Sequence, residues 1–197
     1  MNFIAEIERQ SKRIAEKLVS PLARIGITAN HLTIAGFVTA LPVAFLIATD
    51  HLAVGGIMLL VVSVSDTLDG AMARVRNEIT EFGAFLDSTL DRYAEIAYYG
   101  SLIWLFLGRN NSSAALISCI VLVSSIMVSY TRARAEGLGF EGKVGILQRP
   151  ERLILLGASL IFSDWLLIPV LWIMAVVTNV TVLQRVLHVR SQTRKRQ

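Results

Sequence analysis

The stretch that decides the fold is DTLDGAMARVRNEITEFGAFLDSTLD, which spans residues 66–91 and carries four aspartates between two long apolar runs. Asp66 and Asp69 are three residues apart, and Asp87 and Asp91 are four apart, so each pair shares one face of a helix. A charged side chain costs on the order of 2.5–3.5 kcal/mol at the centre of a bilayer. Four aspartates beside membrane-length runs therefore indicate a compensating cation or a water-filled cavity.

The rest of the chain is dominated by apolar runs that are long enough to cross a bilayer. Of the 197 residues, 54% are hydrophobic, and the mean hydropathy is +0.59. Because a spanning helix needs roughly 20 mostly apolar residues, the sequence predicts an all-α, polytopic membrane protein with six transmembrane helices. The fifth run is the least regular, because Arg149, Glu151 and Arg152 occupy its first half. The six predicted spans are residues 31–49, 52–73, 84–107, 113–133, 144–163 and 165–187.

Residues 1–20 predict a helix of a different kind. Apolar side chains such as Ile7 and Ile14 fall on one stripe, and Lys and Arg fall on the other side. We expect an amphipathic helix that lies in the membrane interface, with a soluble capping helix as the alternative. The predicted organisation is an interfacial helix and linker over residues 1–26, a six-helix membrane domain over 27–190, and a basic C-terminal tail over 191–197.

The distribution of positive charge predicts the orientation. Of the 19 Lys and Arg residues, all but Arg92 and Arg109 fall at the N-terminus, around 74–76, between 132 and 152, or at 185–196. By the positive-inside rule that face is cytoplasmic. We therefore expect a plasma-membrane protein that has both termini and the aspartates on its cytoplasmic side. The pI of about 9.6 has the same origin, which favours lipid headgroups over nucleic acid as the anionic partner. The single cysteine, Cys119, excludes a disulfide framework, and the N-terminus lacks a signal-peptide pattern.

The aspartates form an all-oxygen set of ligands, which suits Mg²⁺, Mn²⁺ or Ca²⁺. Gly70 and Ala73 follow Asp66 at helical spacing and leave that face open to a ligand. Arg74 lies one turn past Gly70 and offers a planar fork for a phosphate. Gly83 precedes Asp87 by one turn. Metal ligands, small residues and an arginine together predict a pyrophosphate site.

This pattern resembles the complete motif of the CDP-alcohol phosphotransferase family, and all eight defining positions match between Asp66 and Asp91. The resemblance implies a six-helix membrane enzyme with a cytoplasm-facing site and two Mg²⁺ or Mn²⁺ ions, in a family that is often homodimeric. It implies that Asp66, Asp69 and Asp87 hold one ion and that Asp66, Asp87 and Asp91 hold the other. Asp91 would also take the proton from the acceptor hydroxyl. The implied CDP-lipid contacts are Gly70, Arg74, Thr80 and the stretch Ala29, Asn30, His31 and Leu32.

The acceptor must be chosen by residues outside this motif. The segment 130–152, together with Leu86-Asp87-Ser88-Thr89-Leu90-Asp91-Arg92, is similar to the branch of the family that accepts inositol phosphate. Arg132, Arg149 and Arg152 are the candidate ligands of an anionic acceptor's phosphate. The glycerol-phosphate branch typically reads Leu-Asp-Pro-x-Ala-Asp-Lys at residues 86–92, and this chain does not.

Several alternatives remain open at this point. The three arginines are also explained by the positive-inside rule, and Glu136 is placed to pair with Arg132 at i,i+4. Asn30 or Thr28 is placed to cap the first span. Glycerol 3-phosphate or an uncharged alcohol is the alternative acceptor. A cation or proton transporter would also use intramembrane carboxylates, but it leaves Gly70, Arg74 and Gly83 unexplained.

Overall fold

The structure, a computed structural model, describes residues 16–76, 80–162 and 164–196, without the side chains of residues 65–67, 69, 164 and 195. Within these ranges all regular secondary structure is α-helical, as predicted. The helices are α1 (residues 16–24), α2 (Ala29–Ala48), α3 (Leu52–Val75), α4 (Glu81–Gly108), α5 (Ser112–Gly137), α6 (Arg149–Ile161) and α7 (Asp164–Arg196).

In the described residues, three helices are long and apolar enough to cross a membrane: α2, α5 and the Trp165–Arg194 part of α7. Among the described residues the apolar segment of α3 is Leu52–Val64, with Asp66, Asp69 and Arg74 later in the same helix, and α4 carries charged residues through its first half. Helix α6 has 13 residues, or about 20 Å at 1.5 Å per residue, against a hydrocarbon core of about 30 Å. An all-α chain with membrane-capable helices is confirmed, whereas the count of six spans stays a prediction.

Several boundaries differ from the sequence-based expectation. Helix α6 begins at Arg149 rather than at residue 144, because Gly139 and Gly145 have positive φ angles of +72° and +127° that favour a loop over residues 138–148. The basic segment 191–196 continues helix α7 instead of following it. Of the predicted interfacial helix, residues 16–24 are helical, and residues 1–15 lie outside the described part of the chain.

Contacts divide the described chain into two compact units. The first comprises the residues up to Pro42 together with Val61–Ala94. Its core is a cluster of Val19 from α1 with Ala71 and Met72 from α3. Arg76 also donates from Nη1 to the carbonyl oxygen of Ala23, at 2.9 Å. This unit contains the start of α2 together with the end of α3 and the start of α4, and the last two segments carry the aspartate motif.

The second unit comprises Val43–Leu60 and the described chain from Glu95 onwards. Helices α3 and α6 approach closely in it, because a methyl group on Gly56 would lie only 2.6 Å from the carbonyl oxygen of Gly157. Between α5 and α7, the hydroxyls of Ser124 and Thr178 are 2.6 Å apart. The end of α7 holds the 138–148 loop, since the side-chain amide of Gln192 donates to and accepts from the backbone of Glu141.

Candidate active site

The motif half of α4 begins at a capped helix terminus. The Thr80 hydroxyl accepts a hydrogen bond from the backbone N–H of Gly83, at 3.0 Å. A threonine before the first turn is a preferred N-cap because it satisfies one of the N–H groups that lack a partner there. The cap starts the helix at Glu81 and fixes the phase of the two aspartates that follow.

Gly83 has no side chain at the point where two candidate CDP-lipid residues meet. A Cβ atom on Gly83 would lie 2.9 Å from Oγ1 of Thr80 and 3.1 Å from Oδ1 of Asn30. The structure therefore brings together Thr80 and Asn30, which are 50 residues apart in the sequence. Only glycine leaves room for both polar atoms at these distances.

Asn30 does not cap α2, so the alternative that explained Asn30 as a helix cap was wrong. Thr28 takes that place, since its Oγ1 accepts from the backbone N–H of His31 at 3.4 Å. The imidazole Nδ1 of His31 accepts in turn from the backbone N–H of Thr28, at 3.2 Å. Ala29 and Leu32 pack against the Val19 cluster. Within the predicted stretch 29–32, Asn30 is thus the residue whose side chain lies beside Thr80 and Gly83.

Asp87 and Asp91 lie one turn apart on α4, and both are partly buried. The side chain of Asp91 is 17% exposed, and its Oδ2 lies 3.9 Å from Nη1 of Arg92. That same Arg92 nitrogen donates to the carbonyl oxygen of Ser88 and so folds back along the helix. Both carboxylates are thus held on a rigid element, and neither is removed from solvent.

Asp66 and Asp69 lie on the backbone of α3, and their side chains are outside the described part of the chain. Among the described side chains no group of three metal-ligating residues occurs, which leaves the predicted four-aspartate metal site untested. The donor set itself fits a hard divalent cation, because all its atoms are carboxylate oxygens. Four residues after Gly70, the Arg74 side chain folds back so that Nη1 lies 3.6 Å from where a Cβ on Gly70 would be.

Arg74 also forms an ion pair with α1. Its Nε donates to Oε1 of Glu16 at 3.3 Å, and the two side chains are 41% and 40% exposed. Exposed pairs of this kind contribute about 0–1 kcal/mol. Arg74 can therefore leave Glu16 for a stronger anion at little cost.

The three acceptor candidates have different surroundings. Arg132 is partly exposed and donates from Nε to Oε1 of Glu136 at 2.8 Å, so the predicted i,i+4 pair is confirmed. Arg149 and Arg152, in the first turn of α6, both contact the carboxylate of Glu95. The Arg152 side chain is 1% exposed and that of Arg149 is 20% exposed. Only Arg132 and Arg149 therefore present surface to a ligand.

Sequence reasoning did not find Arg185 as part of this arginine cluster. It is buried in α7, where Nε donates to the carbonyl oxygen of Val144 at 2.7 Å and Nη1 donates to that of Val128. Its charged neighbours are Arg132, Arg152 and Glu136. An arginine inside a span is the one signal that could have identified it, because such a charge is retained only for a specific partner or function.

Comparison with known proteins decides the family. The model of the CDP-alcohol phosphatidyltransferase family matches residues 26–187. This chain belongs to that family. The resemblance read from the aspartate motif is therefore confirmed, and the protein is a phospholipid-synthesis transferase.

Known relatives match this chain over about nine-tenths of its length. The phosphatidylinositol phosphate synthase of Mycobacteroides abscessus is 39% identical over 186 residues, which cover 91% of this chain and 84% of the relative. The archaetidylinositol phosphate synthase of Methanothermobacter thermautotrophicus is 35% identical over 185 residues, covering 91% and 92%. Solved structures of the Mycobacterium tuberculosis phosphatidylinositol phosphate synthase are also similar. The form with CDP-DAG bound has a TM-score of 0.84 and 34% identity, covering 90% of this chain and 94% of the other. The form in complex with manganese and citrate has a TM-score of 0.84 and 33% identity, covering 89% and 88%.

Proposed function

We propose that this family member transfers the phosphatidyl-type group of a CDP-lipid, with diacyl or archaeal ether chains, to a hydroxyl of inositol phosphate. The acceptor oxygen attacks the phosphorus that carries the lipid, and the bond from that phosphorus to the CMP oxygen breaks. CMP leaves, and the acceptor's proton goes to a carboxylate. The carrying observation is the complete aspartate motif in a chain whose relatives named above make inositol phosphate lipids.

For the metal site we propose the two overlapping sets already named, Asp66, Asp69 and Asp87 for one ion and Asp66, Asp87 and Asp91 for the other. The all-oxygen donors and the manganese complex of the M. tuberculosis relative support Mg²⁺ or Mn²⁺. When bound, a pair of divalent ions neutralises the charge that develops on a transferring phosphate.

Asp91 is our candidate for the base. Its side chain is partly buried on a rigid helix, with 17% exposure, so its carboxylate is held in place rather than free to rotate. Proximity to the acceptor hydroxyl, more than basicity, would make it effective.

For the CDP-lipid we propose Gly70, Arg74 and Thr80, with the stretch Ala29–Leu32. Support comes from the approach of Asn30 to Thr80 at Gly83. The exposed Arg74–Glu16 pair supports it further, since Arg74 can exchange Glu16 for a pyrophosphate oxygen.

For the acceptor phosphate we propose Arg132, Arg149 and Arg152. Arg132 and Arg149 have the exposed surface that direct contact requires, and Arg152 contributes its charge from a buried position. With Arg185 as a further charged neighbour of Arg132 and Arg152, the named arginines outnumber the two glutamates that they contact, Glu95 and Glu136. Such an excess suits a phosphate dianion better than an uncharged alcohol.

In the membrane we propose six spans preceded by an interfacial helix, in the plasma membrane, with both termini and the aspartates on the cytoplasmic side. Of the Lys and Arg residues in the predicted loops and termini, only Arg109 falls on the opposite face, and this distribution supports the orientation. A homodimer is proposed from the family resemblance alone.

The test is a substrate panel with purified protein in detergent. CMP release is measured with Mg²⁺ or Mn²⁺, diacyl and ether CDP-lipids, and inositol phosphate, glycerol 3-phosphate or inositol as acceptor. We expect the highest kcat/KM with inositol phosphate as acceptor. The Asp91→Asn control should release no CMP. A preference for glycerol 3-phosphate would refute the acceptor assignment and leave family membership intact.

A further inference from the structure

Glu95 is a buried carboxylate in the middle of α4, with 3% exposure. Its helix continues through apolar turns towards Gly108. A carboxylate in such surroundings is strongly unfavourable unless it is paired and hydrogen-bonded. Glu95 is paired with the two arginines of α6, Arg149 and Arg152.

These two arginines contact Glu95 unequally. Nη2 of Arg152 lies 2.7 Å from Oε1 and 3.0 Å from Oε2 of Glu95, and Arg152 is fully buried. Nε of Arg149 lies 3.6 Å from Oε1, and its side chain keeps 20% of its surface exposed. One oxygen of Glu95 is thus shared by a buried arginine and a partly exposed one.

Charge balance gives the two contacts different consequences. If Glu95 faced only Arg149, its negative charge would cancel the charge that Arg149 offers to an anion. Because Arg152 makes both short hydrogen bonds to Glu95 in a buried pair, the charge of Glu95 is balanced mainly by Arg152 and not by Arg149. The same carboxylate still attracts the Arg149 guanidinium, since Nε lies 3.6 Å from Oε1, which is an ion-pair distance and not a hydrogen bond.

We propose that Glu95 is a positioning residue. It holds Arg149 in place for the acceptor phosphate, while Arg152 neutralises the charge of Glu95. The inference rests on the proposed function, in which Arg149 binds that phosphate. Glu95 itself need not touch either substrate.

The experiment uses a variant that removes the buried pair without leaving a lone charge. Glu95→Gln combined with Arg152→Met replaces both members by uncharged side chains of similar length, which proteins often tolerate. We expect the KM for inositol phosphate to rise about tenfold or more, with the KM for the CDP-lipid changed less than twofold. A residue that only stabilises the fold would lower the unfolding temperature and the active fraction and leave both KM values unchanged. Glu151→Gln, which removes an exposed carboxylate from the same turn of α6, is the matched control and should change neither KM.

A second comparison separates this inference from the proposed function. If Glu95 acts through Arg149, adding the paired substitution to Arg149→Ala should change the acceptor KM less than twofold further, because the two effects share one step. Fully multiplicative effects, or a normal acceptor KM in the paired variant, would overturn the positioning role. If Arg149→Ala alone leaves the acceptor KM unchanged, the acceptor assignment fails instead, whatever Glu95 does. If the paired variant does not fold, Glu95→Gln alone is measured in the same assay, and its KM for inositol phosphate then tests whether Glu95 holds Arg149 in place.

Discussion

Replacing Gly83 by alanine tests whether the position of Asn30 and Thr80 beside Gly83 serves substrate binding. The added Cβ would lie 2.9 Å from Thr80 Oγ1 and 3.1 Å from Asn30 Oδ1. Comfortable contacts between such atoms are closer to about 3.5 Å, so these side chains must move by about 0.5 Å. Thr80 would be displaced from its N-cap bond to residue 83, and Asn30 from its place beside it.

The effect on stability should be small because two terms oppose each other. Loss of a threonine N-cap destabilises a helix by about 1 kcal/mol, and replacing glycine by alanine in a helix stabilises it by about 1 kcal/mol. We therefore expect the unfolding temperature of Gly83→Ala to stay within a few degrees of wild type. Binding is more sensitive, since a displacement of about 1 Å at a reacting site can reduce activity by about 100-fold. For a shift of half that size we expect a rise of about tenfold in the KM for the CDP-lipid.

The assay measures CMP release against CDP-lipid concentration, with thermal unfolding recorded in the same detergent. Gly100→Ala is the matched control, because Gly100 lies on the same helix and a Cβ there meets no atom within 4 Å. If Gly83→Ala keeps a normal KM for the CDP-lipid, or if both alanine variants lose activity equally, the role given to Asn30 and Thr80 is refuted.

Three further predictions follow from other parts of the molecule. Asp87→Asn or Asp91→Asn should nearly abolish CMP release without unfolding the protein, and excess chelator should do the same to wild type; activity that survives both treatments would contradict the metal site. Gly56→Ala should lower the unfolding temperature by several degrees, since a methyl group 2.6 Å from the Gly157 oxygen overpacks the α3–α6 contact by about 1–3 kcal/mol. In a Cys119→Ser background, a cysteine at residue 110 should react only with reagent added from outside the cell, and exclusive labelling from the cytoplasm would reverse the topology.

The sequence predicted best what depends on neighbours along the chain. The long apolar runs gave α2, α5 and α7 because burial and helix length leave few other solutions. Thr80 explains why α4 begins at Glu81, three residues before the predicted start, since an N-cap and not hydrophobicity sets that boundary. The late start of α6 has the same kind of cause, because the glycines of the 138–148 loop adopt positive φ angles.

Long-range pairing is what the sequence could not supply. Glu95 and Arg152 are 57 residues apart, and several other arginines were equally available as partners on charge alone. The approach of Asn30 to Gly83 is of the same kind. Helical spacing identifies residues that share a face, but it does not identify the residue on the next helix that meets them.

The structure distinguishes carboxylates on α4 that look alike in the sequence, because they have different positively charged neighbours. Asp87, Asp91 and Glu95 follow one another at four-residue spacing on α4, and spacing alone would allow all three to hold a metal ion. Glu95 is already neutralised by a buried arginine, and using it as a metal ligand would leave Arg152 charged and buried without a partner. The two aspartates of α4 differ from Glu95 in burial, since both keep part of their surface exposed, and Asp91 Oδ2 lies 3.9 Å from Nη1 of the partly exposed Arg92. We therefore propose two uses for the carboxylates of α4: the aspartates would hold divalent ions, and Glu95 pairs with the arginines of α6.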